Sequence, residues 1–446
     1  MSAIFKIYIK FIRSRGGRQR AAASRAPRAI VATPRETSSA TMTVAGAPGL
    51  GLRPEQRRAA GVACGAHALH DGYTDLVYVM LPVWQAEFGL AYAALGLLRT
   101  LFSGTLAALQ VPSGLLAQRL GAPWVLALGT ALVGVGYLLA GMSSGLAMLA
   151  VALAVGGAGA STQHPVGSSI MSQAFAGPRS LKAMGAYNFA GDIGKMAVPA
   201  AASLLLMVAP WRETLALLGG AGLLAAIVIF TVAPGSGGDA EGNPRAVQSG
   251  AGSPGAPRLG AFWTLVAIGM LDNATRMAFL TFLPFVLTAK GAGLPILGAA
   301  LTAVFAGGAA GKLVCAFLAA RIGAVATVWL TEILTALGIA ALLALPLAAS
   351  LVLLPLVGIA LNGTSSVLYG SVPELVAPSW RMRAFSIFYT GTVGAGAIAP
   401  PAYGLLGDAA GVPTALIVLA AVVLLNLPLA ARLAKPLSAR RAAAGA

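Results

Sequence analysis

The 446-residue sequence predicts an all-α membrane protein: twelve transmembrane helices in two pseudo-symmetric six-helix bundles, with both termini in the cytoplasm. Three observations carry that prediction. Hydrophobic residues make up 58% of the chain and charged residues 10%, and mean hydropathy is +0.83, too apolar for a water-soluble fold. About twelve stretches are long and apolar enough to cross a bilayer as helices of ~20 residues. The two halves also match each other at an offset of about 200 positions.

The elements follow in order. Residues 1–58 hold twelve of the 30 Lys and Arg residues against two acids, Glu36 and Glu55. This segment lacks amphipathic periodicity and an apolar run suited to a signal sequence, so it reads as a basic, disordered tail. Met42 is an alternative initiator, and the Arg- and Ser-rich composition leaves a transit peptide open. The first bundle, 59–233, takes in spans at roughly 60–86, 93–117, 123–142, 146–174, 183–208 and 212–233. A Gly-, Ser- and Pro-rich flexible linker occupies 234–260. The second bundle, 261–433, places spans at roughly 261–287, 295–319, 324–345, 350–374, 383–407 and 412–432, before a basic tail at 434–446. The 56 glycines and 26 prolines are tolerable because membrane helices use small residues for close packing and re-satisfy freed backbone groups through neighbours. Cys64 and Cys315 fall inside spans and read as packed thiols.

Charge sets the orientation. With a cytoplasmic N-terminus, the short cytoplasmic loops carry Arg119, Arg179, Lys182, Arg245, Arg258, Arg321, Arg381 and Arg383; the opposite loops carry only Arg212 and Lys290. The repeat is equally legible. RLG at 119–121 returns as RIG at 321–323, Pro82 as Pro284, Gly96 as Gly298, and Gly191 and Gly194 as Gly391 and Gly394. Parallel six-helix repeats are the architecture of alternating access, with the site between the halves near the midplane.

Charges inside the membrane are costly, so they are the functional candidates. In HALHDGYTD (67–75), residues His67, His70, Asp71, Thr74 and Asp75 form one polar stripe on the first span, about 140° wide at ~100° per residue once Tyr78 and Pro82 are included. Asp71 and Asp75 are the expected proton-coupling pair, with His67 and His70 as relays; the alternative is that they brace the bundle by hydrogen bonding. Arg99 on the second span is a gate or a counter-ion to Asp75 or to an anionic substrate. His164, beside the ladder-breaking Pro165, is a substrate or proton ligand or an interhelical hydrogen bonder. Asp192 with Lys195 (i,i+3) and Asp272 with Arg276 (i,i+4) are spaced to neutralise each other locally. At an offset of 202, Asp272 and Asn273 stand against His70 and Asp71, so the second half mirrors the patch with its charge balanced. Equal depth on consecutive helices pairs Lys312 with Glu332, and Glu374 beside Arg381 and Arg383 reads as a cytoplasmic latch.

Two motifs carry a resemblance to the major facilitator superfamily, over nearly all of 59–433. GLLAQRLG (114–121) is similar to its loop motif, with Gln118 where the acid usually sits and Ala122 and Pro123 where basic residues follow. The resemblance implies a gating role for Arg119, and these departures weaken its latch. The fifth span, with Gly185, Gly194 and Val198-Pro199, is similar to the motif of drug/proton antiporters, with valine replacing a glycine; Gly194 and Pro199 are the gating residues it implies. HALHDGYTD together with QHPVGSS (163–169) resembles the fosmidomycin-resistance type of facilitator, which implies a bacterial inner-membrane exporter.

The expected function is therefore proton-coupled efflux of a small organic molecule by alternating access. Substrate would meet His164, Asn188, Asp192, Lys195, Asp272, Asn273, Arg276 and Arg99. The basic groups favour an anionic or zwitterionic substrate. Proton symport of an imported organic acid and a non-transporting sensor are the alternatives. Enzymatic readings lack support: the sequence holds no P-loop, metal-ligand spacing or nucleophile elbow. No cofactor, metal or nucleic acid is expected. The partners are substrate, protons and lipid, and the chain is read as a monomer.

Overall fold

The computed structural model describes residues 52–175, 178–233, 259–377 and 380–444. Residues 1–51 and 234–258, where the tail and most of the linker were expected, lie outside the described residues. All described regular structure is helical, in order α1 (Pro54–Phe88), α2 (Tyr92–Leu120), α3 (Ala122–Gly141), α4 (Leu146–Ala174), α5 (Pro178–Leu205), α6 (Trp211–Val232), α7 (Leu259–Ala289), α8 (Leu294–Ile322), α9 (Ala324–Ala344), α10 (Leu347–Leu375), α11 (Arg381–Ala410) and α12 (Val412–Val423, resuming at Asn426–Ala444). Helix therefore begins inside the predicted tail, at Pro54, and continues through the predicted C-terminal tail to Ala444.

Among the described residues, nine of these elements are long and apolar enough to cross a membrane. The others are α1, α5 and α11, whose 28 to 35 residues carry the charged and polar side chains that line the interior. Apolar side chains point outward as well as inward: Leu217, Leu224, Ile227 and Val228 on α6 are exposed. A bilayer receives such a face without penalty.

The repeat predicted from sequence recurs in the backbone. Gly89 and Gly291 end α1 and α7 with φ of 62° and 90°, and Gly121 and Gly323 end α2 and α8 with φ of 92° and 91°. Each pair is separated by the 202 residues read from the sequence, and each occupies the left-handed region where side chains are strained. Small residues then let the halves approach. Gly96 of α2 lies against the Pro400 backbone of α11, and its repeat mate Gly298 of α8 lies against Ser203 and Ala200 of α5.

Both contacts sit toward the end of the bundle marked by Gly89 and Gly291. They are reinforced there by Thr100, which donates to the Ala397 carbonyl, and by Asp408. The Asp408 carboxylate accepts the Tyr92 and Ala93 amides at 2.7 and 2.9 Å, so α11 caps the N-terminus of α2.

One span departs from regular α-helix. Within α4, residues Gln163–Gly167 form a π-helical turn. Pro165 has no N–H to give the preceding turn, and Ser168 donates its hydroxyl to the His164 carbonyl at 2.5 Å. The turn sits where His164 joins the polar interior.

Candidate functional site

The middle of α1 carries the site. His67 and Asp71 are one turn apart and both buried. His67 Nδ1 lies 2.8 Å from the Tyr187 carbonyl on α5. A carbonyl can only accept, so Nδ1 carries the hydrogen and Nε2 faces Asp71 Oδ2 at 3.4 Å. The Tyr187 ring stacks on His67 at 4.0 Å, and His164 meets the same imidazole edge-on at 5.4 Å. Lys195 of α5 completes the cluster, its ammonium 3.3 Å from Asp71 Oδ2. Gly191 makes this possible. A Cβ there would stand 2.7 Å from the Asp71 carboxylate and 2.8 Å from the imidazole. The ligand atoms of His67, Asp71 and His164 lie within 4.8 Å of one another, a spacing that could also hold a metal ion. Here the cation beside Asp71 is the lysine.

One turn further along α1, Asp75 has its own cation. Arg99, 2% exposed, reaches across from α2 to within 3.9 Å of Asp75 Oδ1. Its guanidinium also donates to the Tyr78 hydroxyl at 3.0 Å and sits 4.6 Å from that ring's centre. Arg99, expected as a gate or as a counter-ion to Asp75 or to an anionic substrate, stands beside Asp75. His70 turns the other way, with Nε2 2.9 Å from Thr130 Oγ1 on α3. Thr130 donates its hydroxyl to Leu126, so His70 is the donor in that contact.

Between the halves lies a cavity of about 110 Å3 lined by Asp75, Asp192, Lys195, Arg276, Phe305, Lys312 and Asn362, among others. Three basic groups face two acids across it. An ion pair spans it: Lys312 Nζ on α8 sits 2.6 and 2.8 Å from the two Asp192 oxygens on α5. Three expectations are corrected here. Lys195 pairs with Asp71 rather than with Asp192 on its own helix. Lys312 pairs with Asp192 rather than with Glu332. Arg276 donates to Asn273 Oδ1 and forms no ion pair with Asp272 within 4.0 Å. In the first two cases the partner comes from a neighbouring helix, which spacing along one chain segment cannot fix; in the third, Arg276 takes the neighbour three residues back in place of the one four back. The α1 patch, expected to be unbalanced, is therefore the balanced one.

Other candidates fall into place around this core. Asp272, Asn273 and Arg276 line a second, smaller cavity with Tyr369 and Thr392, and Asn273 donates to the Thr392 carbonyl at 2.7 Å. Asn188 is exposed on α5, apart from the cluster. Arg119 is exposed in the last turn of α2. Gly194 packs so tightly on α1 that a Cβ would fall 1.8 Å from the Ala68 carbonyl, and Pro199 interrupts the same helix. Glu374 stands in the last turn of α10, and Arg381 opens α11 with its Nε buried and unbonded. Tyr187, Asn362 and Asp408 were missed. The i,i+4 match of Tyr187 to Gly191 on one helix face was the available signal for the first.

A two-part helical bundle with membrane-crossing helices and a charged interior cavity defines a membrane transporter rather than an enzyme. The sequence profile of the Major Facilitator Superfamily matches residues 63–271 and 265–445, and the chain belongs to that superfamily. It is 26% identical over 168 residues to the fosmidomycin resistance protein of Escherichia coli (strain K12), a match covering 37% of this chain. That match spans about two-fifths (41%) of the curated relative. Among solved structures, a bacterial homologue of the human lysosomal transporter Spinster, inward-facing and occupied, matches with a TM-score of 0.67 at 14% identity. It covers 87% of this chain and 99% of that one. A POT family transporter in complex with 5-aminolevulinic acid matches with a TM-score of 0.69 at 12% identity, covering 85% and 96%. At these identities the structures speak for the fold alone. The chain is a multi-pass membrane protein of that superfamily.

Proposed function

We propose that this protein is a twelve-span, proton-coupled exporter of a small anionic or zwitterionic organic molecule, working by alternating access in a bacterial inner membrane with both termini cytoplasmic. One observation carries the reading. Lys195 pairs with Asp71 on one side and lines the inter-half cavity on the other. A substrate anion arriving in the cavity competes with Asp71 for this ammonium, and a proton arriving at Asp71 frees it. Proton and substrate thus act on one charge, which couples them reciprocally. Asp75 with Arg99 and Tyr78 is a second acid in the same path, and His67, held by the Tyr187 carbonyl, presents Nε2 to Asp71 as the relay. His70, bonded to Thr130, supports the α1–α3 packing beside it, and His164 completes the polar wall.

The cavity's excess of basic groups supports an anionic substrate. Export as the direction draws on a relative named for resistance to fosmidomycin. With the Gly121 and Gly323 loops cytoplasmic, the contacts between halves at Gly96, Gly298 and Asp408 seal the outer side, which corresponds to an inward-facing state. Arg119, Gly194, Pro199, Glu374 and Arg381 then gate at and below the midplane.

The test is transport in inverted vesicles with a pH gradient imposed in either direction, using a panel of organic acids, amino acids and antibiotics. Accumulation driven by an acidic lumen supports the reading. Movement with the proton identifies import by symport, and binding without flux under any gradient identifies a sensor.

A further inference from the structure

The second half holds two acids that the transport reading leaves without a task. Asp272 on α7 is 4% exposed and Glu332 on α9 is 1% exposed. Among the described residues, neither has a lysine, arginine or histidine within 4.0 Å. The cation that depth alone would give Glu332 is Lys312, and Asp192 holds it from the opposite half. Glu332 Oε1 is buried without a close hydrogen-bond partner, and the Asn426 amide, at the break in α12, is the hydrogen-bonding group beside it. Asp272 acts electrostatically on Glu332 from α7 and also lines the small cavity with Arg276, Tyr369 and Thr392.

An ionised carboxylate buried without a cation or a full set of donors is too costly to persist, and two that repel each other are costlier still. A proton is the smallest ligand that relieves both. We propose that Asp272 and Glu332 form a second proton-carrying site, inside the second half and separate from the α1 cluster. The site has an entry: Asp272 opens on the cavity that contains Arg276, and Arg276 also lines the larger cavity between the halves. Asn426, whose side-chain amide hydrogen-bonds toward Glu332 and offers both a donor and an acceptor, is placed to satisfy Glu332 in either protonation state.

The titratable and charged neighbours of Asp272 are Arg276 on its own helix, Cys315 on α8, Glu332 on α9 and Tyr369 on α10. From α11 comes the Thr392 hydroxyl, and from α12 the Asn426 amide beside Glu332. The nearest positive charge is thus Arg276, whose guanidinium is engaged by Asn273.

Infrared difference spectra of the purified full-length protein in lipid, recorded through a pH titration, read protonated carboxyl groups by their C=O stretch. Proton is the only probe, so neither substrate nor gradient is needed, and failure here leaves the α1 reading standing. The wild type is expected to show a protonated-carboxyl signal that is lost as pH rises. Asp272→Asn and Glu332→Gln should each remove part of it, and Asp71→Asn should leave that part intact. A signal unaffected by both substitutions, or one that persists across the whole titration, overturns the proposal. If Glu332→Gln does not fold, Glu332→Asp keeps the acid in an altered position. It should move the titration midpoint by roughly half a pH unit or more; an unmoved midpoint overturns the proposal.

Discussion

In the first half of the bundle, Asp71 and Asp75 have Lys195 and Arg99 at 3.3 and 3.9 Å. In the second half, the repeat-related helix presents Asp272, with Glu332 behind it, and no cation so close to either. The glycines diverge in the same way. Gly194 and Gly191 press on Ala68, Asp71 and His67, whereas a Cβ on Gly394 would meet nothing within 4 Å and one on Gly391 only ordinary contact. The two halves share turns and differ in interior chemistry. A paired, tightly packed half can exchange partners, since Lys195 can let go of Asp71 for something else. A buried acid without such a partner has a proton as its simplest way to lose its charge.

The comparison can be broken in four places. The largest effect is expected from Asp71→Asn, which removes the carboxylate that both His67 and Lys195 address. Gradient-driven flux in vesicles should fall to background while membrane insertion persists, and wild-type coupling in this variant would sink the mechanism. Next, Lys195→Ala leaves a buried carboxylate short of its cation, a loss of about 3 kcal/mol, to be read as a lowered unfolding temperature in detergent. Glu332→Gln orphans no cation and should cost about 1 kcal/mol or less; if it destabilises as much as Lys195→Ala, the contrast between the halves is false.

Third, Gly194→Ala must push α5 from α1 at a cost of roughly 1–3 kcal/mol. Gly394→Ala should be neutral or stabilising by up to ~1 kcal/mol from helix propensity alone. Smallest, Asp408→Ala removes a cap worth about 1 kcal/mol, moving the balance between the two access states roughly fivefold toward outward-open. Cysteine accessibility at the outer ends of α2 and α11 reads that shift, and unchanged accessibility would show the cap to be idle.

Much of this molecule was legible before any coordinates. Hydropathy found the helices, and RLG with RIG found a repeat whose glycines adopt matching backbone angles. Within the HALHDGYTD stripe His67 and Asp71 share a face, as helical periodicity requires, and His164 meets them there, while His70 turns toward Thr130. Partner choice was not legible. The rise per residue puts Lys312 and Glu332 at comparable depth, but depth says nothing about the direction a side chain leaves its helix, and Lys312 leaves its helix toward Asp192. Asp192 and Lys195 could have met along one helix, yet each found a partner on a neighbour: Lys312 across the cavity and Asp71 on α1. Asp408 gave no signal at all, since its partners are backbone amides that every residue but proline possesses.

That last feature has a consequence for genetics. A salt bridge broken on one side can be restored by exchanging the two side chains, and selections for revertants commonly find such swaps. Asp408 grips Tyr92 and Ala93 through their amides, so no change of identity at either position recreates the lost partner. Second-site suppressors of an Asp408 defect should instead fall where the same two helices touch by shape, at Gly96, Thr100 or Gly404.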